Sequence, residues 1–386
     1  MILKRVLLIA IAALLLCGCM QMPNATTDTS TETTVPETTA VMATEPYATT
    51  APDPIALLLD TMSIEQKVGQ MFLARCPDMG AIEDIIKYHL GGFVLFGRDF
   101  EYATPESSRS LIHSYQSVSA VPMLIAVDEE GGYVTRVSCY SAFRDTNFSS
   151  PRKLFQQGGM DLIQSVEQEK CQLLYSIGIN VNLAPVCDIA TDPSAFMYRR
   201  SLGQDPQTTA DFVTSVADIM SNHKIGCVLK HFPGYGNNAD THTGIAVDTR
   251  ALAELERNDL MPFAAGIQSR VGAIMMSHII VSCLDPDHPA SLSPAVHKYL
   301  REDMGFNGVI VTDDLAMDAI SAQYGIGEAA VLAILAGNDL LCSTNYPVEY
   351  AAVLDAVNAG RISISLIDSA VYRILSWKSQ IGILSF

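Results

Sequence analysis

Basic residues are scarce in this sequence. The 386-residue chain carries 24 Lys and Arg against 42 Asp and Glu, a formal net charge of −18 at pH 7. An acidic surface repels phosphate backbones and anionic headgroups, which excludes nucleic acid as a partner and a polybasic grip on a membrane. Cysteine pairing is lacking as well. The thiols after Cys19 (Cys76, Cys139, Cys171, Cys187, Cys227, Cys283 and Cys342) are odd in number, scattered and without a CxxC. Neither a disulfide framework nor a structural zinc is expected, and the residues read as buried small hydrophobes. The apolar run at residues 6–17, VLLIAIAALLLC, falls short of the about 20 residues that span a bilayer. Large apolar side chains are nearly absent from residues 20–52, where eleven Thr and several Pro stand instead. Such a segment cannot bury enough surface to offset the entropy of ordering, and it reads as a tether.

Lys4 and Arg5 ahead of the short apolar run have the layout of a secretory signal. LCGC follows at once, and small Gly18 directly before Cys19 resembles the bacterial lipobox, in which that cysteine becomes the lipidated first residue. The expected organisation is a lipoprotein signal peptide over 1–18, a lipid-anchored Thr-rich linker over 19–52 and one globular domain over 53–386. Two acyl chains anchor stably where one is marginal, and a flexible tether of this length spans roughly 30 Å. The expected location is extracytoplasmic, on a membrane of the bacterial cell envelope.

Within 53–386, short apolar runs alternate with amphipathic stretches. Strands are predicted at GQMFLA, GGFVLF, PMLIAV, NVNLAP, CVLKHF, GAIMMS, GVIVTD and DLLCS. Helical patterns occupy 63–74, 80–88, 104–117, 158–177, 207–223, 251–267, 293–303 and 325–336, the first opened by a Ser63/Gln66 capping box. Eight buried parallel strands alternating with helices predict an α/β fold, a (β/α)8 TIM-type barrel, with an open doubly wound sheet as the competitor. Polar residues close the apolar runs: Asp128, Asp188, Lys230 with His231, His278, and Asp313 with Asp314. In a barrel those strand ends share one rim, where such folds keep their chemistry. Singly, each could be a helix cap or a satisfied core residue.

MSIEQKVGQMF, GGFVLFGRDF, AVDEEGGYVTR, NLAPVCDI, KHFPGYG, DTH, HPASLS and GFNGVIVTDDLAM resemble, in this order, the catalytic domain of glycoside hydrolase family 3, and within it the β-N-acetylhexosaminidase branch. The resemblance implies an exo-acting, retaining double displacement at terminal β-linked N-acetylglucosamine, without a cofactor or metal. It implies Asp313 as nucleophile, with Asp314 the rival for that role. It implies an Asp-His pair on a mobile loop, His242 as acid/base and Asp240 as its support, where many family 3 enzymes use a Glu from an extra module that is not matched here. Asp128, Arg136, Arg200, Lys230, His231 and His278 match or neighbour sugar-binding positions. The sequence departs from the pattern at Tyr235, where many relatives have a second His, and at Arg199, which takes the place of an acidic residue. The implied partner is an N-acetylglucosamine-containing oligosaccharide or muropeptide, met by a monomer.

Two other classes stay open at this point. A metal-dependent barrel hydrolase could use His231, Asp240, His242, His278 and Asp313, although no His-x-His stands on an early strand. A sugar-binding surface lipoprotein without chemistry is the other; a family 3 glycosidase of different sugar specificity is a third variant of the main reading. The anchor is testable directly. Cys19→Ala is expected to move the protein from the membrane to the soluble fraction without changing turnover of soluble glycosides; fractionation and immunoblotting check this, and an unchanged membrane fraction would indicate an uncleaved signal anchor.

Overall fold

A computed structural model describes residues 53–236 and 246–386. The chain divides into two units, residues 1–50 and 51–386, and the described residues belong to the second. Eight parallel strands form one sheet: β1 (Phe72–Arg75), β2 (Gly92–Leu95), β3 (Leu124–Val127), β4 (Val181–Asn182), β5 (Gly226–Phe232), β6 (Ala273–Met276), β7 (Val309–Thr312) and β8 (Leu341–Ser343). Their order is β8-β1-β2-β3-β4-β5-β6-β7. A parallel bridge between Val311 and Leu340 closes the ring, so the fold is the TIM-type barrel. Each strand falls on a run predicted from sequence. The physical reason is simple: helices cover the outside and side chains fill the inside, so a barrel strand is buried on both faces and reads as an apolar block.

Helix boundaries were less legible. The first barrel helix opens with the Ser63/Gln66 capping box, Ser63 N donating to Gln66 Oε1 at 2.9 Å, but it ends at Gln70 because Phe72–Ala74 pair with β2 and β8. The helix expected from 158 begins at Pro151 and bends at Gly158–Gly159. The stretch 251–267 is two helices, Leu252–Arg257 and Leu260–Gln268, broken at Asn258. Of the seven free thiols five are buried, whereas Cys139 and Cys283 are exposed, which corrects the reading of all seven as core residues. No single described helix is long and apolar enough to cross a membrane.

The C-terminal helix Ile364–Gln380 lies against the N-terminal ends of the strands. Its Trp377, the only tryptophan of the chain, packs where β5 and β6 begin: a Cβ on Gly272 would fall 2.0 Å from Trp377 Nε1, and one on Gly226 2.9 Å from the indole. Glycine is required there because ring and backbone occupy the space any side chain would need. Next to it, Lys378 Nζ donates to Gln70 Oε1 at 2.7 Å. With that end of the barrel sealed, the opposite rim is the open one. Trp377→Ala is expected to destabilise the protein by about 3–5 kcal/mol through the cavity it leaves, measured by urea unfolding followed by circular dichroism; a loss below 1 kcal/mol would mean that the helix does not seal the barrel.

Candidate active site

The C-terminal ends of the strands surround a cavity of about 710 Å³ lined by residues from most of the ring, among them Arg75, Phe96, Asp128, Arg136, Arg200, Lys230, His231, Asp313, Asp314 and Thr344. Lys230 and His231 both reach it although they are neighbours in β5. The register against β6 shifts between Leu229 and Phe232, and the peptide joining the two residues is cis.

Three consecutive acids follow β3 and do three different things. Asp128 faces the cavity and accepts from Lys230 Nζ at 2.7 Å, with Arg136 Nη2 3.8 Å away. Glu129 is buried and turns back on its own loop, accepting from the amides of Arg136 (2.7 Å), Val137 (2.8 Å) and Ser138 (3.3 Å) and from the Ser138 hydroxyl; it holds the turn that presents Arg136. Glu130 is buried between two cations, with Lys230 Nζ at 2.7 Å and Arg200 in a two-pronged contact at 2.6 and 3.0 Å. Burial alone would raise the Glu130 pKa, but the Arg200 guanidinium and Lys230 ammonium override it and hold the carboxyl well below the usual range. Burial likewise opposes the charge on Lys230, and the Asp128 and Glu130 carboxylates more than offset it, so its pKa is raised.

His231 is oriented from both sides. Asp188 Oδ2 receives its Nδ1 at 2.8 Å and its backbone N–H at 3.1 Å, while Arg200 Nη2 lies 3.3 Å from Nε2. A guanidinium only donates, so Nε2 is the acceptor and the proton sits on Nδ1, facing Asp188. The departure residue Tyr235 is buried against this ring, edge to face with centroids 5.3 Å apart. Arg200 follows the 3-10 turn Phe196–Arg199, which Arg152 clamps by donating to the carbonyls of Tyr198 (3.0 Å) and Ala190 (2.6 Å). Arg199, the other departure, is exposed.

The two acids after β7 differ sharply. Asp314 is consumed by structure, accepting from Ala316 N (3.0 Å), Thr344 N (3.2 Å) and Thr344 Oγ1 (2.5 Å). Asp313 accepts only the Asp314 amide, at 2.9 Å, among the described residues, and its carboxylate lines the cavity. Burial would raise its pKa, but the imidazoles of His231 and His278, the Asp314 amide and the Lys230 ammonium together lower it. His278 was expected in the sugar pocket. It stands behind it, fully buried, with Nε2 donating to the Asp314 carbonyl at 3.0 Å and Nδ1 paired with Ser291 Oγ at 2.7 Å. His231 and His278 thus have both ring nitrogens engaged by protein groups, and no cluster of three potential metal ligands occurs among the described residues.

The KHFPGYG segment leaves the rim through Gly234 (φ 119°) and Gly236 (φ 54°). Both backbones press on the Asp248–Arg250–Asp259 ion network: an added Cβ would lie 2.7 Å from Asp259 and 2.5 Å from Arg250, respectively. Asp240 and His242 lie outside the described residues. Sequence reasoning missed Glu130 and passed over Asp188 as a site residue and Arg75 altogether. The signal for the first was present in DEEGG, since three consecutive acids at the end of an apolar strand are affordable only if each finds donors. Arg75 had none, being the last residue of an unremarkable strand.

The family model described as Glycosyl hydrolase family 3 N terminal domain matches residues 63–377. Beta-hexosaminidase LpqI of Mycobacterium tuberculosis is 30% identical over 388 aligned residues, 97% of each chain. Beta-hexosaminidase of Nitrosomonas eutropha is 32% identical over 267, covering 67% of this chain and 74% of that one. Among solved structures, a glycoside hydrolase family 3 beta-N-acetylglucosaminidase from Paenibacillus sp. str. FPU-7 superposes with a TM-score of 0.78 at 33% identity, over 84% of this chain and 64% of that one.

Glu130 offers a test of the buried network. Glu130→Gln leaves buried Arg200 without its carboxylate partner and Lys230 with Asp128 alone, and should cost about 3–5 kcal/mol at pH 7, read from urea unfolding. Because the folded pKa of Glu130 is depressed, its contribution is complete above the unfolded value of about 4.3 and fades as pH falls below it. The gap between wild type and variant is therefore expected to shrink below about pH 4.5; a constant gap would mean that Glu130 is not ionised in the folded protein.

Proposed function

The chain belongs to glycosyl hydrolase family 3 and is a glycosidase, and from that membership we propose that it removes terminal β-linked N-acetylglucosamine with retention of configuration. Relatives named beta-hexosaminidase and beta-N-acetylglucosaminidase support the sugar. The observation that carries the mechanism is the contrast at the end of β7: one carboxylate free of structural duties at the cavity, the other used up by Thr344 and Ala316. Asp313 attacks the anomeric carbon as the glycosidic bond breaks and forms a glycosyl ester. His242 protonates the departing oxygen, then takes the proton of the water that opens the ester, with Asp240 supporting its cationic form.

Asp128, Lys230, Arg200, His231 and Arg136 grip the sugar. Asp128 accepts from hydroxyls, which suits a carboxylate whose neighbour Lys230 fixes one oxygen and leaves the other turned to the cavity. His278 acts from behind, holding the Asp314 carbonyl and with it the turn that aims Asp313. At the cell, we propose a lipid anchor at Cys19 and an extracytoplasmic position, on the strength of the N-terminal sequence alone.

Turnover of p-nitrophenyl N-acetyl-β-glucosaminide, insensitive to EDTA, is the first expectation. Asp313→Asn should keep its fold by circular dichroism and retain under about 1% of the rate; a higher residual rate would transfer the role to Asp314. His242→Ala should slow substrates with poor leaving groups by about 10²–10⁴-fold and activated aryl glycosides much less in the first step. Azide should then speed breakdown of accumulated glycosyl-enzyme and yield a β-linked azide. A uniform loss with no azide rescue would move the acid/base elsewhere on the rim.

A further inference from the structure

The other neighbouring strands of the barrel pair over two or more residues, whereas β7 and β8 share one bridge, Val311 with Leu340. The rest of that seam is made by loop amides and side chains. Cys342 N donates to Thr312 Oγ1 at 3.0 Å, Leu315 N donates to the Cys342 carbonyl at 3.1 Å, and Thr344 holds Asp314. Asp313 leaves the barrel between these contacts, so its aim depends on where β8 sits. One group fastens β8 from behind. Glu349 stands in the first turn of the helix Tyr346–Asn358 that follows β8, and it is fully buried. Its Oε2 accepts from the Ser343 hydroxyl, and its Oε1 is buried with no partner. No cation answers it among the described residues: Lys67 is paired with Asp368, Arg361 with Glu328, and Arg75 lies over the Phe96 ring. The titratable groups that face it are the Asp314 carboxylate, from the turn after β7, and the Cys342 thiol of β8. Of the other nearby acids, Asp84 is taken by the Tyr346 hydroxyl, and Glu65 offers Tyr350 only its backbone carbonyl.

A carboxylate in that position would bury a charged oxygen without a donor, beside a second carboxylate, which is far costlier than a neutral acid in the same place. Burial pushes the Glu349 pKa up to about 7, with the Ser343 hydroxyl opposing the rise and the Asp314 carboxylate adding to it. We propose that Glu349 is a positioning residue for the reaction: as an uncharged acid it holds Ser343, and through Thr344 the Asp314 turn, in the place that aims Asp313. Loss of its proton sets an unpaired anion against Asp314 and loosens the seam. This rests on Asp313 as the nucleophile and adds to that reading a control on the alkaline side of activity.

The test compares the wild type with Glu349→Gln, which keeps the shape and has no charge to gain. The substrate is 2,4-dinitrophenyl N-acetyl-β-glucosaminide, whose leaving group departs without a proton, so kcat/KM does not follow His242. Between about pH 6.5 and 8.5 the wild type should lose about tenfold in kcat/KM and the variant less than about twofold. Stability gives a second readout. The folded pKa of Glu349 lies above the unfolded value of about 4.3, so its contribution is complete below about pH 4.3 and is lost as pH rises through about 7. The urea midpoint of the variant should therefore gain on that of the wild type across this window and keep a constant lead above about pH 8. Glu349→Met, also uncharged, makes the same comparison if the Gln variant does not accumulate. A flat wild-type profile, a decline that the variant shares, a midpoint gap that ignores pH, or failure of both variants to fold overturns the inference. Absence of turnover by the wild type faults the reading of the sugar, whereas a constant midpoint gap with full turnover faults the inference alone.

Discussion

The ammonium of Lys230 is the point on which the rim depends. It is buried at the end of β5 and bridges Asp128 and Glu130, each at 2.7 Å. A buried lysine is tolerated only when its charge is matched, and a lone carboxylate facing the cavity would be drawn into whatever geometry matched it best. Sharing the ammonium with Glu130, which also carries Arg200 at 2.6 Å, fixes both Asp128 and Arg200 before any ligand arrives. Arg200 in turn settles which nitrogen of His231 carries the proton. One strand-end lysine thereby sets the position of an acceptor, a donor and an imidazole tautomer, which is the pre-organisation a sugar pocket needs.

The fold was more legible than the site. Barrel strands are short apolar blocks because they are covered on both faces, so composition alone locates them. Helix ends depend on local breaks: the bend at Gly158–Gly159 and the interruption at Asn258 were visible only as ordinary residues inside amphipathic patterns. In the site, Asp128, Lys230, His231 and Asp313, which line the cavity, were found because polar groups closing apolar strands are conspicuous; Arg75, which also lines it, was not. Those that hold them were not. Glu129 and Glu130 look like Asp128 in sequence, and only the placement of the 134–138 turn and of Arg200, 70 residues on, separates a loop cap from an ion-pair hub. His278 shows the converse ambiguity. A histidine at a strand end reads as a rim residue, but the side chain can turn to either side of the rim, and here it turns to Ser291.

The asymmetry of Asp313 and Asp314 has the same origin. Adjacent residues leaving a strand point in different directions, so a pair of aspartates is a division of labour, one spent on shape and the other left for the cavity. Thr344, just beyond β8, spends its hydroxyl and its amide on Asp314. That contact ties the last strand of the ring to the turn after β7, so ring closure and the aim of Asp313 are one structural problem.

The charge of the cavity completes the picture. The chain as a whole carries −18, yet among the charged residues lining the cavity four are cationic (Arg75, Arg136, Arg200, Lys230) and four anionic (Asp128, Asp313, Asp314, Asp318). The rim is locally balanced within an acidic molecule. For the proposed nucleophile the balance matters in both directions. More negative surroundings would raise the pKa of Asp313 and leave it protonated; a guanidinium paired with it directly would hold it ionised but hydrogen-bonded away from the sugar. Instead, Asp313 feels the lysine and two imidazoles through space while accepting only its neighbour's amide, so it stays charged and uncommitted.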